Sequence, residues 1–316
     1  RVISMPPPSS GGVALIQLLR SVEPYDLGAM GLNSSASIHL MGEAMRRVYA
    51  DRAEWLGDPD FTPVPVESLI ATDYVRQRMA DVNPYRADTS RAVTYGNPLA
   101  GESMETTHYS VVDADGLAVS TTTTINGGYG SYLVVDGAGF FLNNEMDDFA
   151  AAPGVPNMFG LLGSEANAVA PGKRMLSSMT PTIVEDPDGE LFLVIGSPGG
   201  ARIITTVFQV IANVIDHGLD IQAAVSAPRI HHQWFPDVMY AERHALSEDT
   251  ERALRQRGWS VREGGRWSRA DGIVVSVETA ETADDPSGLT DRQTVVRRRT
   301  LLGGADPRGQ DVAVGY

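Results

Sequence analysis

The run Phe192–Ile195 is short and apolar throughout, and the loop Gly196-Ser197-Pro198-Gly199-Gly200 leads from it into a stripe with helical period. In that stripe Ile203, Val207, Val210, Ile211 and Val214 share one face. A strand without polar alternation suits a sheet buried on both faces. A helix with an apolar stripe must bury that stripe against a neighbouring layer. Together the two demands predict layers of sheet and helix.

The same alternation continues along the chain. Ile38, Met41, Met45 and Val48 recur at helical spacing, with Arg46, Arg47 and Arg52 elsewhere on the circumference, and Asp58-Pro59-Asp60 ends the helix. Further helices are predicted from about Val13 to Val22 and from an N-cap at Ser247 to Gly258. Gly218 is the expected C-cap of the helix that begins near Ile203. Hairpin signals fall at Asp115-Gly116, Asp136-Gly137 and Asp186-Pro187-Asp188-Gly189. Leu133–Val135 reads as another doubly buried strand, and Gly272–Val277 and 294–302 return the chain to the sheet. No internal repeat is visible. The pattern predicts sheets covered by helices, not a β-sandwich or a bundle.

Composition narrows the function. In 316 residues, 42% hydrophobic and 21% charged content describe a soluble globular chain with ample core. A formal charge of −15 argues against nucleic acid as a partner and gives no polybasic membrane anchor. The absence of cysteine excludes disulfides, thiolate catalysis and cysteine-based zinc sites, and leaves the compartment open. No apolar stretch spans a bilayer. The first residue is Arg1 rather than Met, so the chain reads as a processed product, and the lack of a signal peptide says nothing about export.

Chemistry concentrates at Thr106-Thr107, which opens the stretch TTHYSVVDADG after an irregular run from about Pro84 to Glu105. A threonine at a loop-to-strand junction becomes a new N-terminus if the peptide bond before it breaks. Its hydroxyl hardly ionises near neutral pH, whereas its own α-amine, with a pKa of roughly 7.7–8.0, can accept the hydroxyl proton. Read without context, the pair is part of a threonine-rich edge strand.

The motifs TTHYSVVDADG, LNNEMDDF, PGKRMLSSMTPTIV, SPGGARIITTV and APRIHHQWFPD occur in that order, with SMPPPSSGG, YADRAEWLGDPDF and the terminal ADPRGQDVAVGY. This sequence resembles the γ-glutamyltransferase (glutathione hydrolase) family of N-terminal-nucleophile hydrolases from Arg1 to Tyr316. The resemblance implies an α+β fold, the αββα four-layer sandwich. Residues 1–105 would be the C-terminal part of the large subunit and 106–316 the small, catalytic subunit, together one domain with Thr106 opening a central strand. The N-terminal remainder of the large subunit, which in the family supplies an arginine for the substrate α-carboxylate, would be a required partner.

The resemblance also implies roles. The precursor cuts itself between Glu105 and Thr106, and Thr106 becomes the nucleophile. Thr124 hydrogen-bonds it; spacing alone leaves the choice open among Thr121 to Thr124. Asn126, Glu145 and Asp148 hold the substrate α-ammonium, where carboxylates give charge-assisted hydrogen bonds. Ser177 and Ser178 donate to the α-carboxylate. Without the resemblance, Glu145 and Asp148 read as a solvated acidic loop, and Ser177-Ser178 as a turn or cap. Gly199 and Gly200 precede a helix and present N–H groups to an oxyanion. The substrates implied are glutathione or another γ-glutamyl compound, an amino-acid or dipeptide acceptor, and water, with no cofactor and a periplasmic or secreted location.

Other constellations read as structural. His231-His232 cannot chelate one ion from a regular strand, because adjacent side chains point to opposite faces. His108 shares the face of Thr106 but is read as structural, and Ser9-Ser10-Gly11-Gly12 as a helix cap rather than an anion site. Cephalosporin acylases share the nucleophile chemistry. Asp148, as an acidic amine ligand, and 153–160, which resembles the family's lid with Phe159 as its aromatic, favour γ-glutamyl substrates. An unprocessed, non-catalytic binding protein is the alternative from another class.

Overall fold

The computed structural model describes residues 1–94, 106–150, 152–281 and 295–315. The strands are β1 (Val2–Ser4), β2 (Thr107–Val112), β3 (Ala118–Thr123), β4 (Thr182–Glu185), β5 (Leu191–Gly196), β6 (Ile230–His231), β7 (Met239–Glu242), β8 (Val261–Gly264), β9 (Asp271–Glu281) and β10 (Val295–Gly304). The helices are α1 (Gly11–Val22), α2 (Leu27–Met30), α3 (Ser35–Trp55), α4 (Val66–Leu69), α5 (Thr72–Met79), α6 (Ile203–Ile215), α7 (Ile221–Ser226) and α8 (Glu248–Gln256).

The main sheet has five strands in the order β1-β4-β5-β9-β10, with every pairing antiparallel. Its centre is β5, where Leu193, Val194 and Ile195 are fully buried. Each such side chain contributes roughly 1.5–3 kcal/mol relative to an exposed one. Helix α6 follows β5 directly and is buried from Ile203 to Asn213, with α1 and α7 beside it. Small residues allow the close approach: Gly272 and Gly304 lie against Ile221, where an added Cβ would come within 2.9–3.0 Å of its side chain.

The hairpin β2-β3 lies face-on against this sheet. Its turn forms as expected: Asp113 Oδ1 accepts from the N–H groups of Asp115 and Leu117, and Gly116 takes a positive φ of 91°. Ser120 Oγ donates to Ile195 O and accepts from Thr182 N, both at 3.0 Å. Helices, five-stranded sheet and hairpin thus stack as α, β and β layers of the expected sandwich. The central strand is a correction. Among the described residues β2 pairs only with β3, and side chains rather than backbone edges tie it to the main sheet. The outer face of the hairpin exposes Tyr109, Val111 and Val119.

Two further expectations change, the strand at 133–135 and the cap at Gly218. Leu133 and Val134 are exposed, and the turn at Asp136-Gly137 closes a single bridge, Val134↔Phe141, instead of a buried strand pair. Apolar residues there have no neighbouring sheet to pair with among the described residues. Arg46, Arg47 and Arg52 are buried. Arg46 and Arg47 bind Glu43 on the same helix, and Asp237, Asp81 and Asp88 on segments packed around α3. Helix α6 is capped at Asp216, and Gly218 follows with φ 65°. The hairpin at 186–189 and helix α8 with its Ser247 cap form as predicted; Ser247 Oγ accepts from Thr250 N at 3.1 Å.

Candidate active site

Thr106 immediately precedes β2, and Thr124 follows β3, so hairpin pairing brings the two together. The last pair, Thr107↔Thr123, leaves Thr106 opposite Thr124, and Thr106 Oγ1 donates to Thr124 Oγ1 at 3.4 Å. This resolves the run of threonines. Thr122 Oγ1 instead meets His108 Nδ1 at 2.9 Å beneath the hairpin, and Thr123 is exposed. His108 is structural, as expected. Its Nε2 meets Ser110 Oγ at 3.1 Å, its ring fills the space above Gly196, and burial lowers its pKa to about 4, keeping it neutral. Glu105 lies outside the described residues.

Thr124 Oγ1 also accepts from Asn126 N at 2.8 Å, and Asn126 adopts φ 72°. From there Asn126 Nδ2 donates to Asn144 O (3.2 Å), while Asn144 Oδ1 accepts from Gly127 N (2.8 Å). These bonds tie the acidic 3-10 turn Glu145–Asp148 to the segment that follows Thr124. Asp148 is 9% exposed, so it is no solvated loop residue. Burial first, and then the charge of Glu145, push its carboxyl up to about 7, against the pull of Arg52.

Thr106, Thr124, Asn126, Asp148, Ser177, Ser178 and Gly200 line one cavity, together with Arg52 and Phe159. Glu145 does not line it and acts there through its charge on Asp148, while Gly199 faces an adjoining cavity that also touches Thr106. The sequence reading missed Arg52. Its guanidinium, 3% exposed, donates from Nε to Ser10 Oγ at 2.9 Å and from Nη2 to Ser178 Oγ at 3.1 Å. An arginine surrounded by Tyr49, Ala50 and Ala53 on a helix in which Ile38, Met41 and Met45 are buried was the available signal.

Ser10 is also a correction. It occupies the N-cap position of α1 but makes no side-chain cap. Its hydroxyl donates to Ser177 O at 2.6 Å, Ser177 Oγ donates to Ser9 Oγ at 2.8 Å, and Gly11 leaves room for the backbone of Met179. The 9–11 turn therefore fixes 177–179 instead of starting a helix in isolation.

Gly199 (φ 133°) and Gly200 (φ 54°) hold conformations that L side chains avoid, at the entry to α6 where helical geometry leaves N–H groups unpaired. A Cβ on Gly200 would lie 2.6 Å from Phe159 Cδ1, so the aromatic of the 153–160 segment closes directly over the loop. His231 bonds Thr205 and Gln233 at 2.8 Å each, whereas His232 meets Asp237, so the two rings serve different partners.

This arrangement offers paired hydroxyls, a glycine loop at a helix entry, and a buried acid and base facing one cavity. The sequence matches the family model described as gamma-glutamyltranspeptidase over residues 1–316. The chain belongs to the γ-glutamyltranspeptidase family. It is 49% identical over 90% of its length to the glutathione hydrolase proenzyme of Pseudomonas aeruginosa, covering 51% of that protein. It is 39% identical to the acylase ACY 1 proenzyme of Pseudomonas sp. strain V22, over 82% of this chain and 43% of that one. Among solved structures, a mutant of the Helicobacter pylori γ-glutamyltranspeptidase aligns at 46% identity and TM-score 0.56, covering 64% of this chain and 100% of that chain. The chain spans about half the length of the curated relatives it matches.

Proposed function

We propose that the processed form of the complete precursor transfers γ-glutamyl groups from glutathione and related donors to water or to an amine acceptor. Thr106, freed by cleavage after Glu105, is the nucleophile. Its α-amine takes the hydroxyl proton as Oγ1 attacks the γ-carbonyl carbon, and then delivers it to the departing amine. Thr124 orients the hydroxyl. The N–H groups of Gly199 and Gly200 stabilise the oxyanion. Asn126 and Asp148, with Glu145 acting through Asp148, receive the α-ammonium, and Arg52, Ser177 and Ser178 the α-carboxylate.

The observation that carries this reading is the pairing of buried Asp148 and buried Arg52 across one cavity that ends at Thr106. A carboxyl and a guanidinium lining one cavity suit a zwitterionic α-carbon. A glutaryl side chain keeps the terminal carboxylate but lacks the ammonium, so a buried acid beside Arg52 argues against the acylase reading that the ACY 1 relative raises. The test is turnover of a γ-glutamyl anilide against a glutaryl anilide, with mass spectrometry of the new N-terminus. Faster turnover of the glutaryl compound would favour the acylase, and an intact 105–106 bond with no turnover would favour a binding protein.

A further inference from the structure

Phe159 reaches the catalytic cavity from a turn that is clasped on itself. Asn157 Oδ1 accepts from Phe159 N at 3.0 Å and from Leu161 N at 3.1 Å, and Asn157 N donates to Leu161 O at 3.0 Å. The turn 157–161 therefore moves as one piece, carrying Phe159 and Leu161, which both line the cavity of Arg52 and Asp148. Among the described residues its polar ties to the rest of the protein are few. Met158 N donates to the exposed Asp147 at 2.8 Å, and Asn126 and Asn144 make weak bonds of 3.5 Å to Met158 Sδ. Gln233 Nε2 donates to Phe159 O at 3.1 Å, and of these ties this one alone is fully shielded from water.

We propose that Gln233 is a positioning residue: oriented by His231 and Thr205, it latches the 157–161 turn over the catalytic cavity and so holds the bound donor in place. The effect on the donor rests on the γ-glutamyl-transfer reading above; the latch itself does not.

The direction of the bonds fixes how the latch is built. Gln233 Nε2 is committed to a carbonyl, so Gln233 Oε1, 2.8 Å from His231 Nε2, must accept. His231 Nε2 then carries the proton, and the bare Nδ1 accepts from Thr205 Oγ1 at 2.8 Å. Burial first, and then the charge of Arg202, hold the His231 pKa well below its usual value, so the ring stays neutral and this order is kept. Thr205, His231 and Gln233 are all buried, where a hydrogen bond is costly to leave unmade.

Thr205 stands in the first turn of α6, the helix that grows directly out of the Gly199-Gly200 loop. One side of the Phe159–Gly200 contact is thus set by chain continuity, and the other by three consecutive hydrogen bonds that start from the same turn. The ring and the loop it covers share one foundation, and a site is held to its working geometry by such supporting bonds. The same arrangement leaves a single buried bond whose loss frees the 157–161 turn, as a segment that opens and closes over a substrate requires.

Gln233→Met keeps the length of the side chain and removes both of its bonds. In processed enzyme made from the complete precursor it should raise KM for a γ-glutamyl anilide about two- to tenfold, the range of one neutral hydrogen bond, with kcat changed by less than about twofold. Gln233→Glu, assayed at alkaline pH, is the second variant: its carboxylate still accepts from His231 but has no N–H for Phe159, so the same pattern is expected. The latch is also read without turnover. Residues 1–316 contain no cysteine, so a thiol introduced by Leu161→Cys can be followed on its own peptide by mass spectrometry. Its labelling by a thiol reagent should be about two- to tenfold faster when Gln233→Met is added, because labelling tracks the open population. An unchanged labelling rate overturns the latch, and a loss carried by kcat with KM unchanged overturns its role in holding the donor. If wild type turns over no γ-glutamyl compound, the transfer reading falls, while faster labelling still establishes the latch.

Discussion

Asp148→Asn isolates the charge proposed to meet the substrate ammonium. The substitution keeps the size and much of the hydrogen bonding. What it removes is an ionisation that burial and Glu145 have moved to about 7. A charged hydrogen bond contributes roughly 1.5–3 kcal/mol, so with Asp148 fully ionised, near pH 8.5, kcat/KM for a γ-glutamyl donor should fall about ten- to a hundredfold. At pH 7 about half of the wild-type carboxyls are protonated, so the measured loss should shrink by about twofold, and at pH 6 by about tenfold. The ratio of wild type to variant must therefore climb with pH through about 7. The Thr106 α-amine imposes its own limb on both enzymes and cancels in that ratio. Initial rates with γ-glutamyl and glutaryl anilides across this range check the reasoning, because the glutaryl compound has no ammonium to lose. A flat ratio, or equal losses for both donors, would show that Asp148 is structural and refute the assignment.

The same carboxyl makes a stability prediction. Its folded pKa is raised, so its contribution is fully present below the unfolded value near 3.8 and is lost progressively as pH rises from there through about 7. Asp148→Asn should accordingly raise Tm relative to wild type most at pH 7 and above, progressively less as pH falls, and not below about pH 4, as read by thermal melts. Thr106→Ala should leave the precursor as one uncleaved, inactive polypeptide; fragments meeting at Glu105 and Thr106 on a denaturing gel would contradict this. Gly200→Ala places a Cβ 2.6 Å from Phe159 at φ 54°. It should cost roughly 1–3 kcal/mol of stability and lower kcat by about 10²–10³, and an unchanged kcat would remove the oxyanion role. Arg52→Gln should raise KM about tenfold or more for γ-glutamyl and glutaryl donors alike, because both carry the terminal carboxylate, and an unchanged KM would assign Arg52 to packing alone.

The parts of the fold that were legible in the sequence are those governed by local rules. Asp115-Gly116 and 186–189 dictate their turns, Ser247 its cap, and the stripe from Ile203 to Val214 its buried helix. Local rules failed where tertiary surroundings decide. Arg46, Arg47 and Arg52 carry charge, so pattern alone puts them toward solvent, yet acids on distant segments bury the first two and the serines at 10 and 178 bind the third. Leu133 and Val134 have the composition of a core strand and are exposed. In the site, family motifs located Thr124, but only hairpin register explains why it and not Thr122 meets Thr106. Arg52 escaped notice because its function depends on contacts 42 and 126 residues away.

Segments before and after Thr106 are interleaved. Strand β1 hydrogen-bonds β4 through Val2↔Val184, Ser10 holds Ser177, and Arg52 holds Ser178. Cutting the chain before Thr106 therefore severs one covalent bond and none of these contacts, so the fragments remain a single cooperative unit. The sequence of events is then directional. Folding before the cut is unimolecular, with all strands on one chain; refolding after it would require two chains to find each other and would depend on their concentration. On the proposed processing, scission would work as a ratchet: it would follow folding without disturbing it and, once made, turn a reversible folding problem into an assembly problem that the protein never has to solve again.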